Sequence, residues 1–172
     1  MLQKDWLRFV VFTAVVGTTA WLVYEFFVPP ENALDHWLNY QIASLSSNLL
    51  QLIGYNTSLL EGHIVCVDNK ALLSVGSPCN GLKLYAVFSI FIMGFAGSIW
   101  HKLWFIPLGI LGIFSLNVLR VALLSLNVIY SPATFDFNHR YLFEVIVYGF
   151  IFLLWVCWSK AFAEKARNSA SS

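Results

Sequence analysis

Four apolar stretches constrain this chain more than anything else in it. They cover about 7–28, 82–99, 103–130 and 141–162. A helix rising ~1.5 Å per residue needs roughly 20 apolar residues to cross a ~30 Å hydrocarbon layer. The chain is 172 residues long, 59% hydrophobic and only 11% charged, with a mean hydropathy of +0.71. A soluble domain of that size has no way to hide so much apolar surface, whereas lipid solvates it. The expectation is an all-α polytopic membrane protein: one membrane domain over 1–172 with about four transmembrane helices, an extracytoplasmic amphipathic helix and a short β-hairpin. Pro29-Pro30 ends the first stretch. The second is short for a span and needs a thin or locally adapted bilayer. Lys4 and Arg8 ahead of the first stretch, with Thr18-Thr19-Ala20 inside it, raise the alternative of a cleaved signal peptide. Apolar character continues through Trp21, Leu22, Val23, Phe26, Phe27 and Val28, which favours a retained span.

Positive charge sets the orientation. Lys4, Arg8, Lys102, Lys160, Lys165 and Arg167, six of the ten Lys and Arg residues, fall on one side of the four stretches. That side is expected to be the cytoplasm, with both termini there and the protein multi-pass in the cell (inner) membrane. Residues 29–78 and 131–138 then face outward, carrying Glu31, Asp35, Glu61, Asp68 and Asp136 against Lys70. The net charge of +1 and the absence of basic runs argue against nucleic-acid binding.

Within the outer segment, Leu34, Trp37, Leu38, Ile42, Leu45, Leu49, Leu52 and Ile53 recur at three and four. This predicts an amphipathic helix over 31–53, lying along the membrane surface or packed on the bundle. Residues 62–67 and 70–75 read as two strands around Asp68-Asn69. The hairpin leads directly into Ser77-Pro78-Cys79-Asn80-Gly81-Leu82-Lys83.

In that segment Ser77 reads as an N-cap and Pro78 as the first helical residue, which puts Cys79 in the first turn. Unpaired backbone N–H groups, the helix dipole and Lys83 one turn on all favour a thiolate. The competing reading is an inert helix-starting cysteine. Polar residues inside spans are costly and point to function. Arg120 lies in the outer half of the third stretch, with Asn117 three residues before it on the same face. Its structural alternative is an ion pair with Glu25 or Glu144. His139 is expected to open the fourth span behind Asn138 as N-cap, or to be a plain interfacial residue. Glu144 pairs most simply with Arg140 at i, i+4, and otherwise orients Arg120. Cys79, Arg120 and His139 thus converge on one layer of the membrane. His63 and Cys66 lack the second pair of ligands a metal site needs, and no cofactor is implied. Cys66 and Cys79 share the oxidising side, so a disulfide between them is a competing fate. Cys157 is expected to be lipid-facing or packed, and His36 and His101 to be surface residues.

The residues Ser77-Pro78-Cys79-Asn80-Gly81-Leu82, Asn117-Val118-Leu119-Arg120 and Asn138-His139-Arg140, in that order and spacing, resemble the exosortase/archaeosortase family. Its members are polytopic membrane cysteine enzymes. The resemblance covers about half the chain, from the hairpin to the fourth span, and looks like a compact version with fewer spans. The family's Cys-Ser-Gly stands here as Cys-Asn-Gly. The resemblance implies Cys79 as nucleophile, Arg120 as an activating or oxyanion-binding group and His139 as the third member. Beside these three, Asn80, Lys83, Asn117, Asn138, Arg140 and Glu144 are the candidate substrate-binding or supporting residues. It also implies protein sorting: cleavage of a C-terminal signal made of a short motif, a helix and a basic tail, through a Cys thioester resolved by an amine, a lipid headgroup or water. Its partners would be membrane-tethered protein substrates and the lipid bilayer. Gly81, Gly94, Gly97, Gly109 and Gly112 are candidate contact points for a substrate helix, with Gly94 and Gly97 equally readable as packing residues. A different class of function, a non-catalytic assembly factor for surface protein or polysaccharide export, would use the same polar residues to grip a partner helix. A transporter is disfavoured because the inner halves of the spans are almost wholly apolar.

Overall fold

Asn32 starts the first described helix by accepting a hydrogen bond from the Asp35 N–H at 2.9 Å, which satisfies one of the orphan donors of a helix N-terminus. The computed structural model describes residues 15, 18, 32–76, 79–95 and 97–163. Nearly all of the first apolar stretch, including Glu25, and Ser77 and Pro78 lie outside the described residues.

Helix α1 (Ala33–Leu52) is followed by strands β1 (Thr57–Leu60), β2 (Ile64–Val67) and β3 (Lys70–Ser74), then by helices α2 (Leu82–Gly94) and α3 (Ile99–Tyr130). Short turns over Pro132–Thr134 and Phe135–Phe137 lead through a π-helical segment, Asn138–Leu142, into α4 (Phe143–Trp158). Ile99–Tyr130 and the run Pro132–Ala161 are long and apolar enough to cross a membrane; α2 is shorter. The second run exceeds the roughly 20 residues a crossing needs. Its first nine residues carry Asp136, Asn138, His139 and Arg140, so its uninterrupted apolar part begins at Tyr141.

The sheet is antiparallel in the order β1-β2-β3. The hairpin expected around Asp68-Asn69 is present, both residues having positive φ (50° and 64°), as a tight hairpin turn requires. A third strand, β1, extends it. Thr57–Leu60 has too few residues and too little alternation to be read from sequence, but pairs Thr57 with Val67 and Leu60 with Ile64.

Two compact units emerge from the contacts among the described residues. One contains 32–82 and 111–150. Its core joins Ile42, Ala43 and Leu50 of α1, Val65, Val67 and Val75 of the sheet region, and Val118, Val121 and Ala122 of α3. The buried face of α1 also carries Asp35, Asn39, Ser46 and Ser47. Ser46 donates to the Val118 carbonyl at 2.9 Å, and the Ser47 and Thr57 hydroxyls lie 2.7 Å apart. Leu34, Trp37, Leu45, Leu49, Leu52 and Ile53 are exposed. Most of the apolar repeat that identifies the helix is thus turned away from the protein, while a mixed face of Leu38, Ile42, Ala43 and Leu50 with four polar residues packs inward.

The other unit contains 83–110 and 151–163. Lys102 is buried and donates to the carbonyls of Met93 and Phe95 at 2.8 and 2.6 Å, closing the C-terminus of α2 with a cation. Trp155 meets Phe91 and Phe95 edge-to-face, with centroids 5.3 and 5.6 Å apart, and the two Phe rings are tilted at 31° with centroids 5.7 Å apart. A Cβ on Gly109 would run into the Phe88 ring, and one on Gly97 would stand 2.8 Å from Trp158. In the first unit a Cβ on Gly112 would stand 2.8 Å from Phe150. These three glycines pack against the chain's own aromatic rings, which removes them as open contact points for a substrate helix.

Candidate active site

Beyond β3 the chain is anchored by Val75, fully buried, whose N–H donates to the His63 carbonyl at 2.9 Å. Cys79 follows in a tight turn, its N–H donating to Gly76 at 2.8 Å. Next comes Asn80, completely buried. Its Oδ1 accepts from Leu82 N at 3.0 Å, its Nδ2 donates to Asp35 Oδ1 at 2.6 Å, and its carbonyl accepts from Asn117 Nδ2 at 3.4 Å. Gly81 then takes φ +78°, a left-handed conformation that glycine adopts without strain.

This corrects the expected helix start. Helix α2 begins at Leu82, not Pro78, because the Asn80 side chain caps Leu82 and the positive φ of Gly81 breaks the helix before it. Cys79 lies just ahead of the helix, not in its first turn. Lys83 is exposed in that first turn, and its expected i, i+4 relation to Cys79 is not formed since Cys79 is not helical.

The structure brings the three principal candidates together. His139 Nε2 lies 3.5 Å from Cys79 Sγ. Arg120, 9% exposed, donates from Nη2 to the His139 carbonyl at 3.2 Å. Its Nε is buried and has no hydrogen-bond partner among the described residues. Neither the expected pairing of Arg120 with Glu144 nor that of Glu144 with Arg140 is formed: both Arg140 and Glu144 are exposed. The π-helical segment between them widens the turn and takes them out of i, i+4 register.

His139 does not open a helix. The helical run begins at Pro132, so Asn138 has helical backbone angles and cannot serve as an N-cap. Its Nδ2 instead donates to Asn127 Oδ1 at 3.2 Å and to Thr134 Oγ1 at 3.4 Å, tying the segment to the end of α3. The imidazole stacks on Phe135, with centroids 5.6 Å apart and planes within 9°. It lies in the polar start of the run Pro132–Ala161, ahead of its apolar part. Partial burial, then the positive charges of Arg120 and Arg140, hold it below the usual histidine value of 6.5, against the opposing pull of Glu144 and Asp136. The neutral imidazole is thereby favoured, which suits it to take a proton from the neighbouring thiol.

All three cysteines are free: Cys66 is buried, Cys79 half-buried and Cys157 exposed. Cys66 and Cys79 are not bridged. No group of three or more metal-ligating side chains gathers among the described residues. Sequence reasoning missed Asp35, a buried carboxylate on the Asn80 amide. The available signal was its place at three residues past an Asn cap, which is equally that of any first-turn acid.

A thiol within reach of an imidazole, beside a buried guanidinium with a free N–H, makes a cysteine–histidine–arginine site in a chain with two helices long and apolar enough to cross a membrane. The family comparison agrees: the model for transmembrane exosortase (Exosortase_EpsH) matches residues 6–158, and the chain belongs to that family. No curated protein and no solved structure matches the chain.

Proposed function

We propose that this exosortase-family protein is a membrane-embedded cysteine transpeptidase or protease that cleaves C-terminal sorting signals of secreted proteins. The observation that carries the reading is the approach of Cys79 Sγ to His139 Nε2, 3.5 Å, with Arg120 held against the same histidine. In this mechanism His139 takes the thiol proton as Cys79 Sγ attacks a peptide carbonyl of the substrate. Arg120 Nε, buried and unengaged, donates to the developing oxyanion, where a fixed donor is worth most. The tetrahedral species collapses as the C–N bond breaks and His139 returns its proton to the departing amine. An amine, a lipid headgroup or water then attacks the thioester and releases Cys79.

Four crossings, cytoplasmic termini and an outward-facing site complete the proposal. A substrate helix beside the protein would then deliver its outer end to the depth of Cys79.

The test compares membrane and surface proteomes of cells carrying the wild-type protein or Cys79→Ala. Accumulation in the variant of proteins retaining a C-terminal helix and basic tail supports the reading. An unchanged proteome, with the variant at normal level, refutes it in favour of a gripping assembly factor. A membrane-impermeant thiol reagent that labels Cys79 only after spheroplasts are ruptured would overturn the orientation.

A further inference from the structure

We propose that Asp35, far from Cys79 in sequence, is a positioning residue that fixes the Cys79 turn through the side chain of Asn80. The inference rests on Cys79 being the nucleophile and adds the element that aims it.

Asp35 is 2% exposed and its carboxylate accepts from Asn80 Nδ2 at 2.6 Å, a short bond for an amide donor. The amide of Asn80 has two unlike ends. Leu82 N–H requires an oxygen at one of them, and the carboxylate, an acceptor only, requires N–H at the other. The two partners together leave the amide one orientation, and Asn80 is bonded directly to Cys79. Asn117 holds the Asn80 carbonyl from α3, so the residue following the thiol is fixed from three elements.

The carboxylate is itself mounted on a fixed support. Asn32 caps its backbone N–H, and three turns further along α1 Ser46 is bonded to Val118. A carboxylate in the first turn of a helix gains from the dipole without being buried. Burial adds a cost, and Asp35 meets it without a cation: among the described residues it makes no ion pair. What its burial provides is the contact with Asn80. Nor is it a conventional third member of a Cys–His–carboxylate line, since the carboxylates whose charge reaches His139 are Glu144 and Asp136.

The experiment uses the full chain in membranes and three variants: Asp35→Asn, Asn80→Asp and the two combined. The combination exchanges the groups, so that residue 35 donates to residue 80 while residue 80 still accepts from Leu82. Two readouts are taken at one pH: the alkylation rate of Cys79, by peptide mapping against iodoacetamide, and cleavage of a substrate tail. Each single change is expected to slow both by roughly tenfold, the loss of one charged hydrogen bond, with kcat falling and KM little changed. The exchange is expected to restore most of the loss. Single variants that match wild type, or an exchange no better than the singles, overturn the proposal. So does failure of all three variants to accumulate, which makes Asp35 a folding residue. Alkylation that follows this pattern in a protein whose wild type cleaves nothing would instead place the failure with the proposed reaction, leaving Asp35 as the residue that sets the thiol.

Discussion

Cys79 and His139 are separated by sixty positions in the chain, yet their side chains meet at 3.5 Å. The contact is made by two irregular segments: the turn before α2 and the π-helical turn before α4. A regular α-helix over 138–142 would rotate His139 relative to the rest of α4, and insertions of this type commonly mark functional positions. Replacing His139 by Gln is expected to lower kcat for tail cleavage by about 10²–10⁴ while the protein stays in the membrane at its normal level. Rates of cleavage of a purified tail substrate in detergent check this.

Arg120 has two separate duties, and they predict that lysine cannot replace it. Nη2 supports the His139 carbonyl while Nε remains unengaged within the protein. A single ammonium on a flexible stem cannot hold one group and present a donor in a second fixed direction. Arg120→Lys is expected to lose about 10²–10³ in kcat, close to the loss in Arg120→Gln, with KM little changed. A lysine variant near wild-type activity would show that charge alone suffices.

The surroundings of His139 determine a pH response. Burial and the cations Arg120 and Arg140 lower its pKa, and Glu144 and Asp136 raise it. As a base it must be neutral, so activity is expected to persist below the usual 6.5 and to fall only as pH drops through the lowered His139 pKa. Removing a cation relieves the depression: Arg140→Gln should move the acid limb of kcat to higher pH. Removing an anion deepens it, so Glu144→Gln should move the limb lower. For stability, the unfolded chain takes up the proton more readily than the native one. This contribution is complete above the unfolded value of 6.5 and is lost as pH falls through the lowered native pKa. Profiles of the two variants shifting in the same direction would contradict this account.

The parts of the site legible in the sequence are those whose signal is local. The Asn-x-x-Arg turn of α3, the Asp68-Asn69 hairpin and the periodic helix Ala33–Leu52 each announce themselves by spacing. The start of α2 differs from the one the sequence predicts because Ser-Pro is a strong helix-start signal in isolation, whereas Asn80 capping Leu82 depends on Gly81 adopting a positive φ. Asn138 differs for the same reason: a good cap residue is not a cap when Pro132 has already begun the helix. Asp35 was not legible as part of the site at all, since its role depends on a contact with Asn80 across 45 positions. In α1 the apolar repeat located the helix but not its packed face, because the buried face takes Leu38, Ile42, Ala43 and Leu50 together with Asp35, Asn39, Ser46 and Ser47 and leaves most of the repeat exposed.

Two glycines separate internal packing from open surface. A Cβ at Gly109 would meet the ring of Phe88, while one at Gly149 would meet nothing within 4 Å. Gly109→Ala is expected to destabilise the protein by about 1–3 kcal/mol through overpacking. Gly149→Ala, on a helix with space around it, should be neutral or stabilising by about 0.4–1 kcal/mol. Unfolding midpoints in a mild detergent check both. Adding Phe88→Leu to Gly109→Ala makes room for the new methyl and should recover much of the loss. If Gly109→Ala instead kept full stability but blocked cleavage, Gly109 would be a substrate-helix contact after all, and its packing on Phe88 would have to give way when substrate binds.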